Sequence, residues 1–162
     1  MWKRLVAAVW LGAPGFVRRA GVWLSQPRFT VTAGAVVRDE GGRVLLLRHT
    51  LRRGSGWGIP GGFLVSGEQP DEAVRREVRE ETGLALERVE LAFVRTLEHV
   101  NQVEVIFRAE MPASALEGLR KNFEIERAQW FALEALPADV GRDQRRIIAR
   151  ALGAAGGANS RE

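Results

Sequence analysis

Three glutamates near the end of one predicted helix are the residues of this sequence best placed to do chemistry. They belong to the stretch from Gly62 to Leu84, GFLVSGEQPDEAVRREVREETGL. Pro70 suits a first helical position, Asp71 and Glu72 suit the positive end of the helix dipole, and Gly83 suits a C-terminal stop. At about 100° per residue, Ala73, Glu77, Glu80, Glu81 and Leu84 fall along one stripe, with Val74 and Val78 beside it. The carboxylates therefore border the buried face. Glu77 and Glu81 are also a like-charged i, i+4 pair, which costs a few tenths of a kcal/mol in water and far more when partly buried without neutralisation. A bound divalent cation would neutralise them. The chain has no cysteine and no paired histidines, so carboxylates and backbone carbonyls suit a hard oxygen-seeking ion, Mg²⁺ with Mn²⁺ as the alternative. Upstream lie Trp57-Gly58-Ile59-Pro60-Gly61-Gly62 and then Glu68. Glycines there let carbonyls approach an ion because no Cβ intervenes. The bland alternative is a solvated helix laced with ion pairs, since Glu72 and Arg76 are well oriented at i, i+4 and Arg75 and Arg79 interleave with the acids.

The same stretch resembles the Nudix box of the Nudix (MutT-like) hydrolases: a Gly, five residues, a Glu, seven residues, then Arg-Glu-apolar-x-Glu-Glu-x-Gly-apolar. Gly62, Glu68, Arg76-Glu77-Val78, Glu80-Glu81, Gly83 and Leu84 fill every defined position. The box spans 23 residues, and the expected flanking strands extend the resemblance over Phe29 to Leu136. It implies an α/β (α+β) Nudix fold, a mixed sheet sandwiched between helices. It further implies Mg²⁺-dependent hydrolysis of a nucleoside diphosphate linked to another moiety (a nucleotide, nucleotide sugar or NTP pyrophosphate bond), with metal-activated water attacking phosphorus. By resemblance Glu80 and Glu81 are primary metal ligands, Glu77 is a ligand or the base, and a carbonyl of Gly61 or Gly62 completes the sphere. Arg76 would hold a glutamate in orientation, and Glu68 would support the site or close its loop. Across the family the base comes from the box or from a downstream loop, where Glu124 and Glu126 are the candidates. Arg52 and Arg53, in a polar loop before the glycines, could hold substrate phosphates, and Glu68 and Glu126 are further candidates for substrate contact. Two subclass marks are missing. No proline follows Leu84 until Pro112, against ADP-ribose, and the chain has no tyrosine, against dinucleoside polyphosphates. Ser25-Gln26-Pro27 resembles the start of an NADH-type signature, but it precedes the box and lacks the rest, so it is read as chance. The rival is a noncatalytic Nudix-like nucleotide-binding sensor, which has no need of a costly carboxylate cluster.

These residues need a core to position them, and 162 residues suffice for one domain with a buried interior. The net charge of +4 resides at one end: residues 1–28 carry Lys3, Arg4, Arg18, Arg19 and Arg28 without an acid, leaving 19 basic and 20 acidic residues elsewhere. The body is near neutral, so no specific nucleic-acid partner is expected; the partner that the resemblance implies is a small-molecule nucleotide diphosphate derivative. The expected organisation is a basic, Trp-rich amphipathic extension (1–28), a Nudix hydrolase domain (29–152) and a flexible tail (153–162). In the extension, Trp2, Leu5, Val6, Val9, Trp10 and Ala13 recur at helical spacing, and Phe16, Val17, Ala20, Trp23 and Leu24 form a second stripe after Pro14-Gly15. Three destinations are open to them: packing on the domain or on a second subunit as a homodimer, the membrane surface through residues 2–24, or export as a signal peptide. Pro14-Gly15 and the lack of a small-x-small cleavage site argue against export, and the apolar run is too short to span a bilayer. The expected location is cytoplasmic, with peripheral membrane attachment as the alternative. His49 and His99 each stand alone in sequence and read as structural or surface residues.

The remaining elements follow from pattern. Phe29–Arg38 and Arg43–His49 read as a hairpin, Trp57–Phe63 as one short strand, and Val89–Thr96 and Gln102–Glu110 as strands. Met111–Lys121 reads as a loop, Asn122–Glu126 as an acidic loop before a strand around Trp130, and Asp143–Leu152 as a terminal helix.

Overall fold

A computed structural model describes residues 2–50, 56–120 and 122–153. Two short helices, α1 (Trp2–Gly12) and α2 (Gly15–Ser25), precede the sheet. Then come β1 (Thr30–Arg38), β2 (Val44–His49), β3 (Trp57–Gly58), β4 (Gly61–Phe63), α3 (Pro70–Thr82), β5 (Val89–Leu97), β6 (Gln102–Glu110), β7 (Ile125–Phe131) and α4 (Arg142–Ala151). Arg52 and Arg53 lie outside the described residues, as does the tail from 154 onward.

The expected mixed sheet is present, with strands ordered β3-β2-β1-β6-β5, β4 added to β1 and β7 to β2. At its centre β1 runs parallel to β6 in unbroken register from Thr30↔Gln102 to Arg38↔Glu110. Central strands are buried on both faces, which is why β1 and β2 read as nearly continuous apolar runs rather than alternating ones. Along β1, Ala33, Ala35 and Val37 join α3 through Ala73, Val74 and Val78. Val36, with Val44 and Leu46 of β2, faces Ile147 and Ile148 of α4 on the other side. The sheet is thus packed between two helices, each presenting one apolar stripe.

The β1–β2 hairpin differs from its expected form. The two strands pair only at their mouth, Arg38↔Val44, and then splay. Residues 57–63 fill the gap: β3 pairs with β2 at Leu47↔Gly58, and β4 pairs with β1 from Thr32↔Phe63 to Gly34↔Gly61. One expected strand is therefore two, because each half follows a different neighbour and Ile59-Pro60 makes the crossing. Two further boundaries move. Ala113–Gly118, expected as loop, forms 3₁₀ turns, and β7 begins at Ile125, which puts Glu126 on the strand rather than in the acidic loop.

Helix α3 ends where the sequence places its stop. Gly83 has φ 74°, donates its N–H to the Arg79 carbonyl, and would bring a Cβ to 3.0 Å from Cβ of Arg120. Gly83→Ala is expected to cost about 1–2 kcal/mol, from the left-handed backbone and the crowding together. Urea denaturation with an unchanged midpoint would refute this account of the helix end.

Candidate active site

Helix α3 begins at Pro70, and the preceding Gln69 donates its N–H to Oε2 of Glu72 at 3.0 Å. Glu72 is thereby spent on the helix start, and the i, i+4 pair with Arg76 expected from spacing does not form. Arg76 instead reaches back across the loop to Glu68 in a two-pronged contact, Nε to Oε1 at 2.8 Å and Nη2 to Oε2 at 3.0 Å. The same guanidinium donates to Glu77 Oε1 at 2.8 Å, to Glu80 Oε2 at 3.2 Å and to the Phe63 carbonyl at 3.0 Å. One cation holds three carboxylates and the end of β4, and a lysine could not reproduce that planar fork. Glu68 Oε2 also accepts the Val65 N–H, so Glu68 closes the loop between β4 and α3.

The guanidinium of Arg76 holds the Glu68 carboxyl below its ordinary value of 4.5, and Glu68 and Glu77 hold Arg76 charged beyond the usual arginine range. A carboxyl depressed in the folded state adds stability that is fully present above its unfolded pKa and is lost as pH falls through its folded pKa. Glu68→Gln is therefore expected to flatten the fall of stability on acidification below pH 4.5. Acid titrations of the two proteins, followed by circular dichroism, measure this; identical acid limbs would show that the Arg76 contact stabilises nothing.

Glu81 is 4% exposed, whereas the Glu80 side chain is 56% exposed and that of Glu77 17%. The three carboxylates are thus graded around the helix rather than alike. Glu81 accepts the Gly61 N–H at 3.2 Å through Oε2, and its Oε1 lies 3.8 Å from Nδ1 of His49. Glu77 lies against the neighbouring glycine, since a Cβ on Gly62 would come within 2.4 Å of its Cδ. Successive turns of α3 therefore aim two carboxylates at consecutive glycines of β4. Gly61 has φ 145°, and a Cβ there would sit 2.3 Å from the Ala33 carbonyl oxygen.

Arg76 draws Glu77 and Glu80 toward itself, and among the described residues no three acidic or histidine side chains converge as a metal site. The donor set nevertheless fits a hard cation. Three carboxylates, Glu68, Glu77 and Glu80, gather around one guanidinium, and Glu81, one turn on from Glu77, meets the Gly61 N–H of the glycine segment that Glu77 also lies against.

Of the downstream candidates, Glu124 lies where its segment meets the end of β2: the Thr50 N–H donates to its carbonyl at 2.8 Å, and His49 is paired with Ile125. It is thus near the strand end that carries His49. Glu126 faces Arg48 in an ion pair at 3.3 Å. Sequence reasoning missed the proximity of His49 to Glu81, and no local spacing could have announced it, because 32 positions separate the two. It also missed Gln144 of α4, whose Oε1 accepts the Ile59 N–H at 3.0 Å and ties the glycine segment to the far helix.

A cavity of about 280 Å³ adjoins the glycines, between β1, β4, β6 and α4, with Thr32, Gly61, Phe63, Gln102, Glu104 and Gln144 among its walls. Gln102 Nε2 donates to Thr32 Oγ1 at 2.9 Å and to Glu104 Oε1 at 3.2 Å. Phe63 is exposed at the cavity edge. Another cavity, about 420 Å³, opens at the Arg38 end of β1, away from these carboxylates.

Comparison with known proteins agrees with the fold. The NUDIX domain family matches residues 28–151. A MutT-like protein of Streptomyces ambofaciens is 38% identical over 99 residues, 60% of each chain. The NAD-capped RNA hydrolase NudC of Pseudomonas aeruginosa is 32% identical over 102 residues, 63% of this chain and 36% of that protein. The chain thus matches only part of the length of either relative. The crystal structure of a MutT NUDIX hydrolase from Burkholderia pseudomallei superposes with a TM-score of 0.64 at 29% identity, covering 76% of this chain and 98% of the other.

Proposed function

The chain belongs to the Nudix family, and from that premise we propose that it is a Mg²⁺-dependent hydrolase of a nucleoside diphosphate linked to another moiety. The observation that carries this reading is the buried Glu81 carboxylate, aimed with Glu77 at the Gly61-Gly62 backbone. A carboxylate held so far from water needs compensating partners, and a cation would join the Gly61 N–H and His49 in supplying them. Glu77, Glu80 and Glu81 would hold the ion, with a carbonyl of Gly61 or Gly62. When bound, the ion supplies charge neutralisation for phosphate oxygens and a more acidic water.

The chain's own residues then divide the remaining work. Arg76 fixes the directions of Glu77 and Glu80 and anchors them to Phe63 and Glu68. Gly61 and His49 hold the two oxygens of Glu81 in place. Glu77 or Glu124 would accept the proton of the attacking water. Arg52 and Arg53 would hold phosphates, and Glu126, paired with Arg48, would shape that side of the site. The cavity beside Gly61 would take part of the substrate, with amides from Gln102 and Gln144 and an aromatic face from Phe63. The Pseudomonas relative's name specifies an NAD cap, in which a pyrophosphate joins two nucleosides, and this supports the bond class proposed here.

The test is product release from NTPs, dinucleotides, nucleotide sugars and NAD-capped RNA, with Mg²⁺ or Mn²⁺ and again with chelator. Turnover of one class, lost on chelation, is expected. Nucleotide binding without turnover across the panel would leave the noncatalytic sensor.

A further inference from the structure

The catalytic reading makes no use of α1 and α2, although these helices carry three of the five tryptophans. None of the described residues of α2 is buried. Trp2, Leu11, Phe16, Val22, Trp23 and Leu24 are all exposed. The ring of Trp10 lies over Gly21, within 2.7 Å of where a Cβ would be, so the two helices form a hairpin about Pro14. An open groove of about 690 Å³ runs between them, lined by Trp10, Arg18, Arg19, Val22 and Trp23. Arg28 stacks its guanidinium 3.8 Å over the Trp23 ring. Among the described residues no carboxylate pairs with Lys3, Arg18 or Arg19.

We propose that residues 2–28 are a peripheral anchor that lies in the headgroup layer of an anionic phospholipid bilayer. Charge selects this occupant. Five cations without one acid match lipid phosphates, and the indoles beside them suit the boundary between headgroup and acyl chain. A second copy fits less well, because this surface set against itself would bring together two all-cationic segments with no carboxylate in either. A nucleic-acid backbone would satisfy the arginines yet leave Leu11, Phe16 and Leu24 in water. Each helix has 11 residues, about 16 Å in length, roughly half the hydrocarbon thickness. No described helix is long and apolar enough to cross a membrane, so the hairpin would lie along the surface with its guanidiniums among the phosphates.

Co-sedimentation of the full chain with phosphatidylcholine vesicles, and with vesicles containing phosphatidylglycerol, tests the proposal. Binding to the anionic vesicles alone is expected. It should weaken as salt rises and fall at least about tenfold in Arg18→Glu/Arg19→Glu, a variant that leaves the core untouched because both positions are exposed. A second variant, Phe16→Ser/Leu24→Ser, should weaken binding while preserving its salt dependence. Equal binding to neutral vesicles, or none to anionic ones, would overturn the anchor. So would a lipid-independent dimer abolished by the second variant, or RNA binding lost with the two arginines in a protein that ignores vesicles.

Discussion

Glu81→Gln is expected to lower turnover by about a thousandfold while leaving the protein folded. The amide is nearly isosteric and its oxygen can still accept the Gly61 N–H, now at 3.2 Å from the carboxylate. What it removes is one negative charge, at the most buried of the four glutamates Glu68, Glu77, Glu80 and Glu81. A ligand charge is worth several kcal/mol to the charge balance of phosphoryl transfer, and about 1.4 kcal/mol corresponds to tenfold in rate. Burial makes Glu81 depend on its partners, the Gly61 N–H and His49, and the isosteric amide keeps the first of them. Thermal melts should therefore show Glu81→Gln within about 1.5 kcal/mol of the parent. A loss of turnover far larger than the loss of stability is what a merely structural carboxylate would not produce. Glu80→Gln should have the milder effect on stability of the two, because its side chain is half exposed and already shared with Arg76. Retention of parental turnover by Glu81→Gln would remove the central support of the proposed chemistry.

How much of this arrangement the sequence discloses depends on whether the determining contact is local. Helix α3 was legible at both ends because its signals, Pro70 at the start and Gly83 at the stop, act within one turn. The stripe of Glu77 and Glu81 beside Val74 and Val78 was legible for the same reason. Burial of β2 on both faces was written in the unbroken run Val44 to Leu47. By contrast, the division of residues 57–63 into two strands depends on β1 and β2 splaying apart, a property of the sheet rather than of the segment. Arg76 had four acids within reach of its flexible stem. The choice of Glu68 over Glu72 was settled by Glu72 capping its own helix and by the loop returning Glu68 to the Arg76 side. His49 near Glu81, and Gln144 on Ile59, join elements distant in sequence whose residue types carry no mark of the partnership. The legible part was thus the inventory of charges; which of them meet was a matter of tertiary structure.

The adjacent glycines of β4 offer a sharper test, because the same small substitution should do opposite things at the two positions. A methyl at Gly61 would meet the Ala33 carbonyl oxygen at 2.3 Å and the Gly34 Cα at 2.6 Å, on a backbone with φ 145°. Those obstacles are the paired strand itself, so Gly61→Ala must break β4 from β1 or distort both. A loss of several kcal/mol is expected in denaturant titration. The atoms a methyl at Gly62 would meet first all belong to the end of the Glu77 side chain, with Cδ at 2.4 Å and the two oxygens at 2.5 and 2.6 Å. Glu77 is flexible enough to swing aside, and Gly62 carries no positive φ, so the fold should survive with a change near 1 kcal/mol or less. Yet the swing takes Glu77 away from the glycine backbone and from its 2.8 Å contact with Arg76. Displacing one acidic group of the cluster and loosening the guanidinium that orients Glu80 should reduce turnover by about a hundredfold. The diagnostic result is therefore a folded, slow Gly62→Ala beside an unstable Gly61→Ala. Should Gly62→Ala turn over at the parental rate, the close approach of Glu77 to the backbone would have no part in the chemistry, and the ligand role would fall to Glu80 and Glu81 alone.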